Sequence, residues 1–185
     1  MQKVSAVASL VTLALVPLFA VEASGQDPHR ATKLGSFEFS EGSLVTLGRE
    51  DLGEVGGVEV DVRQLSDSTS GTSVSGLLVI VTGGFEDDGV EGAFVDADEL
   101  PELVAGLDAL LAISANPTPF ERFEVSYTTR GALELAVVND RRDERRLRYA
   151  VRAGQITTAA AFLNAAEMGE LRGMFVAAQQ KLEQP

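Results

Sequence analysis

Ala93-Phe94-Val95-Asp96-Ala97-Asp98-Glu99-Leu100-Pro101-Glu102-Leu103 aligns without gaps on Ala161-Phe162-Leu163-Asn164-Ala165-Ala166-Glu167-Met168-Gly169-Glu170-Leu171, 68 residues further along the chain. Six of the eleven positions are identical, and three more are conservative exchanges (Val/Leu, Asp/Asn, Leu/Met). Each stretch reads as a strand running into a helix. Asp96 and Asn164 stand at the N-cap position, and Glu99 and Glu167, three residues later, complete a capping box. Leu100 and Met168 begin an apolar stripe. Phe94 and Phe162, two residues before each cap, are expected to point inward at the end of a strand. Capping chemistry alone accounts for the Asp/Asn and the first Glu. It does not account for the shared Ala-Phe or the second Glu, so the chain is read as an internal duplication.

The pattern on either side of each junction supports that reading. Upstream of the first, Phe37 and Phe39, then Val45 and Leu47, alternate with polar residues. Val58, Val60 and Val62 alternate with Glu59, Asp61 and Arg63, the period of a half-buried antiparallel strand. Ser66 to Ser75 is rich in Ser, Thr and Gly and is expected to be a loop. Leu77 to Val81 is a continuous apolar run, expected as a central strand buried on both faces. Val90 to Val95 is a further short strand. Leu100, Leu103, Val104, Leu107, Leu110 and Leu111 then fall on one helical stripe, which Asn116-Pro117-Thr118-Pro119 ends.

The second half repeats the scheme. Phe123, Val125 and Tyr127, then Leu133, Leu135 and Val137, then Leu147, Tyr149 and Val151 each alternate with polar residues. Thr129-Arg130-Gly131 is a turn and Asn139 to Arg145 a charged hairpin tip. A strand from about Gln155 to Leu163 precedes a helix from Asn164 to about Leu182, with its stripe on Met168, Leu171, Met174 or Phe175, Ala178 and Leu182. The expected fold class is α+β: antiparallel sheets with two amphipathic helices, strands then helix, twice. One domain over 36–185 is expected, built of halves at about 36–115 and 119–185 that share a core because each alone is small.

The chain has 185 residues, with 15 Lys and Arg against 28 Asp and Glu, a net charge of −13. It contains no Cys, no Trp and one His. Disulfides, zinc thiolate sites, iron–sulfur clusters and a Cys nucleophile are therefore excluded. A single His leaves almost no material for a Ser-His-Asp triad or a multi-His metal site. The acidic excess argues against nucleic acid and anionic membranes as general partners. No cofactor is expected, since pieces such as Gly53-Glu54-Val55-Gly56-Gly57 lack the Gly-Lys-Ser/Thr end of a phosphate loop.

Residues 1–23 read as a signal peptide. Lys3 supplies the positive start, and Val4 to Ala20 is a 17-residue apolar run broken only by Ser5, Ser9 and Thr12. Val21-Glu22-Ala23 offers modest side chains for cleavage after Ala23, with Ala20 and Gly25 as alternative positions. An uncleaved anchor is the competing reading, and the run is short for a span. Cleavage removes Lys3 and Glu22, leaves the charge at −13 and leaves no membrane anchor. A periplasmic or secreted protein is expected. Residues 24–35 read as a disordered linker, and the lone His29 within it has no neighbouring ligands.

Several antiparallel strands followed by a helix, twice over, resembles the duplicated ββββα architecture of the Whirly and PC4-like single-stranded nucleic-acid-binding proteins. The resemblance covers most of Val58 to Leu182 as element order. No Whirly motif occurs in the chain, so no functional residue carries over.

Two local features invite a functional reading. Arg141, Arg142, Arg145, Arg146 and Arg148 lie within eight residues, with Arg152 following. Strand alternation places Arg146, Arg148 and Arg152 on one face, a candidate site for a phosphate, carboxylate or acidic polymer. The competing reading is a solvated face neutralised by Asp140, Asp143 and Glu144 and by cross-strand pairing to Glu124 and Glu134. Glu86-Asp87-Asp88 is an acidic turn that lacks the alternating ligand spacing of a calcium loop. Tyr127 and Tyr149 occupy the apolar phase of their strands. The expected function is a non-enzymatic binding or interaction module of the bacterial envelope, whose partner is an envelope protein or a small ligand. The alternatives are a Whirly-like anion- or single-strand-binding module using the Arg face, and a carboxylate-dependent hydrolase.

Overall fold

In the computed structural model of the protein, residues 32–39, 41–83, 89–114, 117–139, 146–154 and 157–184 are described. The signal peptide, His29, the acidic turn and Arg141, Arg142 and Arg145 lie outside them.

The first half is a four-stranded antiparallel meander in the order β1-β2-β3-β4: β1 Val45–Val55, β2 Val58–Asp67, β3 Thr72–Thr82 and β4 Val90–Asp96. A single 3-10 turn, Ala97–Glu99, leads into helix α1, Leu100–Leu111. The second half repeats this with β5 Glu124–Thr128, β6 Glu134–Asn139, β7 Leu147–Ala153 and β8 Ala159–Leu163, again in sequential order, followed by α2, Ala165–Leu182. The strands-then-helix architecture read from the junctions is the observed one. Among the described residues no helix is long and apolar enough to cross a membrane.

Local chemistry sets the boundaries. β1 and β2 are joined by Gly56-Gly57, both at positive φ (57° and 85°), the two-residue turn whose twist suits a hairpin and which glycine enters without a Cβ penalty. α2 starts where Asn164 Oδ1 accepts from Ala166 N and Glu167 N, and Glu167 accepts in return from Asn164 N at 2.7 Å. At the first junction Glu99 likewise accepts from Asp96 N at 3.3 Å. The Ser/Thr stretch is shorter as a loop than expected. β2 runs to Asp67 and β3 begins at Thr72, because ladder hydrogen bonds tolerate polar side chains and Ser66 pairs with Ser73 across the strands at 2.9 Å. Asp67 then organises the turn by accepting from Thr69 N at 2.8 Å.

One continuous core joins both halves. Val58, Val60, Val62, Leu77, Val79, Val81, Ala93 and Val95 enter it from the first sheet, and Leu135, Val137, Tyr149, Val151, Ala161 and Leu163 from the second. Leu100, Leu103, Leu107 and Leu110 of α1 pack with Met168, Leu171, Phe175 and Ala178 of α2. Phe175, rather than Met174, completes the α2 stripe. Leu77, Val79 and Val81 are fully buried, but Leu78 and Ile80 are only half-covered, so β3 is central in its sheet without being buried equally on both faces.

The expected inward pointing of Phe94 and Phe162 is corrected. Ala93 and Val95, and Ala161 and Leu163, take the core phase of their strands, so alternation sends both Phe rings to the outer face, where they are half-buried. The linker boundary also moves. Thr32 and Leu34 are buried, so the ordered fold begins before Ser36, for a reason that emerges at the functional site.

Candidate functional site

The strand ladders superpose the halves position by position. Val95 pairs with Leu77, and Leu163 with Tyr149. From there Gly76 corresponds to Arg148, Phe94 to Phe162, Asp96 to Asn164 and Glu99 to Glu167. The outer face at each strand-to-helix junction is thus the same place built twice with different side chains.

At the first junction the place is filled. Lys33 N and Leu34 N donate to the buried Asp96 carboxylate at 2.8 and 3.1 Å. Leu34 lies over Gly76 so closely that a Cβ there would stand 2.8 Å from Leu34 Cδ1. Thr32 holds the turn that follows, accepting from Gly35 N at 3.0 Å and from Ser36 N at 3.0 Å. A second layer of charge locks it. Arg130, from the β5–β6 turn of the other half, reaches Asp98 at 2.7 Å and Glu99 at 3.2 Å, while Lys33 Nζ reaches Asp98 at 2.9 Å. The Lys33 hydrogen bond, with Arg130 behind it, holds the Asp98 carboxyl below its ordinary range.

At the second junction the place is a recess of about 200 Å³. Arg146, Leu147, Arg148, Phe162, Leu163, Asn164 and Glu167 line it. The guanidinium of Arg148 stands over the Phe162 ring, 4.6 Å from its centroid, which fixes the head group by cation–π attraction. Arg146 is exposed just ahead of β7. Among the described residues, no carboxylate lies within ion-pairing distance of either guanidinium.

The three arginines expected to share a face have different fates. Arg152 sits directly across the ladder from Glu134, and its Nη1 reaches Glu134 at 2.7 Å and Glu124 at 2.8 Å. Its hydrogen bond holds the Glu124 carboxyl below the usual range, and the guanidinium is itself pushed up first by that same bond. Both acids are the cross-strand partners the alternation suggested. Arg148 and Arg152 flank Ala150 on the outer face of β7. Ala150 and its ladder partner Ala136 are fully buried there. Phe162 and Glu167 belong to the recess but carried no functional signal in the sequence. Their roles as strand end and capping residue accounted for them fully.

The recess offers one guanidinium held over an aromatic ring, a second exposed guanidinium, the Glu167 carboxylate engaged with Asn164 N, and a helix start whose first amides are already capped. Its two guanidinium groups can pair with an anionic group, and none of the described lining residues is a nucleophile paired with a base. No protein-family model, curated protein or solved structure matches this chain.

Proposed function

We propose that the protein is an exported, non-enzymatic binding module whose contact surface is the Arg146–Arg148–Phe162 recess, and that it holds an anionic group of an envelope protein or small ligand. One observation carries this reading. Arg152 is neutralised by two carboxylates, whereas Arg146 and Arg148, at the other end of β7, line a recess and make no ion pair among the described residues. A guanidinium already held over an aromatic ring gives up less conformational freedom when it takes a carboxylate. The export signal supports an envelope location, where a protein partner or solute ligand is at hand.

The test is binding of poly-glutamate to the mature chain as salt is raised. Salt-sensitive binding that disappears in Arg146→Ala/Arg148→Ala supports the reading, and binding unchanged by that double substitution removes it. Oligothymidylate is the contrasting probe. Preference for it over poly-glutamate would favour the Whirly-like reading despite the net charge of −13. The envelope assignment is checked by the mass of the protein exported by a bacterial host, expected to begin after Ala23.

A further inference from the structure

We propose that the second-half recess is a docking site for an extended acidic peptide segment of a partner protein, received in the place where the first half receives its own residues 32–36. This inference rests on the anion-binding reading and names the class of ligand.

The fold itself supplies the precedent. Gly76 and Asp96 form a shelf on which a short peptide segment is seated, with a Leu side chain against the sheet and two backbone amides on a carboxylate. Arg148, Asn164 and Glu167 line the corresponding shelf, on which none of the described residues seats a peptide segment. Its volume of about 200 Å³, open to solvent on one side, has room for a carboxylate side chain.

The polarity of the second shelf is inverted. Asp96, which accepts from the docked amides, is replaced by Asn164, whose Oδ1 is already used by Ala166 N and Glu167 N. Gly76, which leaves room for Leu34, is replaced by Arg148. The first shelf therefore takes a segment that brings donors, one of them carrying the Lys33 ammonium. The second must take a segment that brings acceptors, and two guanidinium groups select Asp or Glu side chains. A small anion uses the charge alone, whereas a backbone segment laid along this shelf, as residues 32–36 are along the first, also engages the strand and the helix start, so an extended acidic segment is the better fit.

The experiment is amide NMR of the mature chain titrated with an amidated, acetylated hexapeptide of alternating Glu and Leu. N-acetylglutamate and the Lys/Leu analogue are titrated in parallel. The expected result is saturable shifts at the amides of Arg148 and of Phe162 to Glu167 with the Glu/Leu peptide, and at least tenfold weaker binding of the other two probes. Arg148→Glu should weaken the Glu/Leu peptide at least tenfold, whereas Lys181→Glu, the same charge change on the far end of α2, should leave it within twofold. Thermal unfolding of both variants confirms that they remain folded. If N-acetylglutamate binds the same amides as tightly as the peptide, the anion-binding reading stands and the peptide-docking proposal is overturned. If no probe shifts these amides, both are overturned. If the same amides shift with protein concentration alone and the peptide does not compete, the occupant is a second copy and the proposal is likewise overturned.

Discussion

The ring of Tyr127 on β5 packs against Gly106 of α1 so closely that a Cβ added to the glycine would stand 2.7 Å from Tyr127 Cδ2. The contact recurs with the sizes exchanged. Met174 of α2, 68 residues after Gly106, packs on Gly53 of β1, where a Cβ would lie 3.4 Å from Met174 Cε. Gly53 lies opposite Val60, and Tyr127 opposite Leu135, so the ladders make Gly53 and Tyr127 equivalent too. Each helix thus crosses to the first strand of the other half's sheet. A small residue on the helix meets a large one on the strand in one case, and the reverse in the other. The turns cross between the halves as well: Gly131 of the β5–β6 turn abuts the Phe94 carbonyl, and Gly56 of the β1–β2 turn abuts the Leu163 side chain. Two halves that contact each other reciprocally in this way share their stability, which is why one core serves both.

Gly106→Ala is therefore expected to destabilise the protein by about 1–3 kcal/mol through overpacking against Tyr127, although alanine is the better helix former. Gly173→Ala, in α2, meets open space and should instead stabilise by roughly 0.5–1 kcal/mol. Urea unfolding of the two variants beside the wild type separates these signs. A stabilised Gly106→Ala would mean that the ring has ample room to move away.

Asp96→Ala removes the acceptor for Lys33 N and Leu34 N and leaves both amides to find water. A loss of about 1–3 kcal/mol is expected, as for other buried groups left without their partner. Hydrogen exchange at the Leu34 amide should accelerate together with proteolysis near residues 32–36, while exchange in β6 changes only by the global loss. Protection of Leu34 equal to that in the wild type would show that the segment is held by its side chain alone.

Glu124 supplies a pH signature. Its carboxyl lies below its ordinary value, first because of the Arg152 hydrogen bond, and burial opposes this only in part. A carboxyl lowered on folding contributes stability that is present above its unfolded pKa of about 4.3, and lost as pH falls through the folded value. The wild type should lose this increment on acidification below about pH 4.5, and Glu124→Gln should show a shallower decline over that range. Equal slopes would mean that the pair is fully screened by solvent, as many exposed pairs are.

Asn164→Ala removes the side-chain cap of α2 and should cost about 1 kcal/mol, with Asn164→Asp costing far less. The variant also bears on the recess, which Asn164 lines with its Oδ1 committed to the cap, so that only its neutral Nδ2 amide is left to donate there. Poly-glutamate binding should therefore fall far less than in Arg148→Ala, because the charge-assisted bonds are kept, measured at a temperature where both proteins are folded.

Most of the element plan was legible because periodicity and capping act within a few residues. The two junctions, the helical stripes and the strand alternations each declare themselves within about ten positions. Where that local logic was misapplied, the error was local too. Ser66 to Ser75 looked like a loop by composition, yet a backbone ladder can pair polar residues as readily as apolar ones. Phe94 and Phe162 looked like core by hydrophobicity, yet the neighbouring Ala, Val and Leu had already taken the inward phase.

Two similar strand-and-helix units, an acidic balance and an arginine-rich strand can all be read along the chain. Which of those arginines are engaged is settled only on folding. Arg152 reaches Glu124 and Glu134 across strands 28 and 18 residues away, while Arg148 turns onto Phe162. Likewise, that residues 32–36 sit on the first shelf and not on its twin depends on Asp96, 62 residues beyond Leu34, and on a glycine standing where the second half has an arginine. Periodicity reports how a residue sits relative to its neighbours in the chain. Charge pairing and shelf occupancy depend on residues that only folding brings within 3 or 4 Å, the range over which hydrogen bonds and ion pairs act.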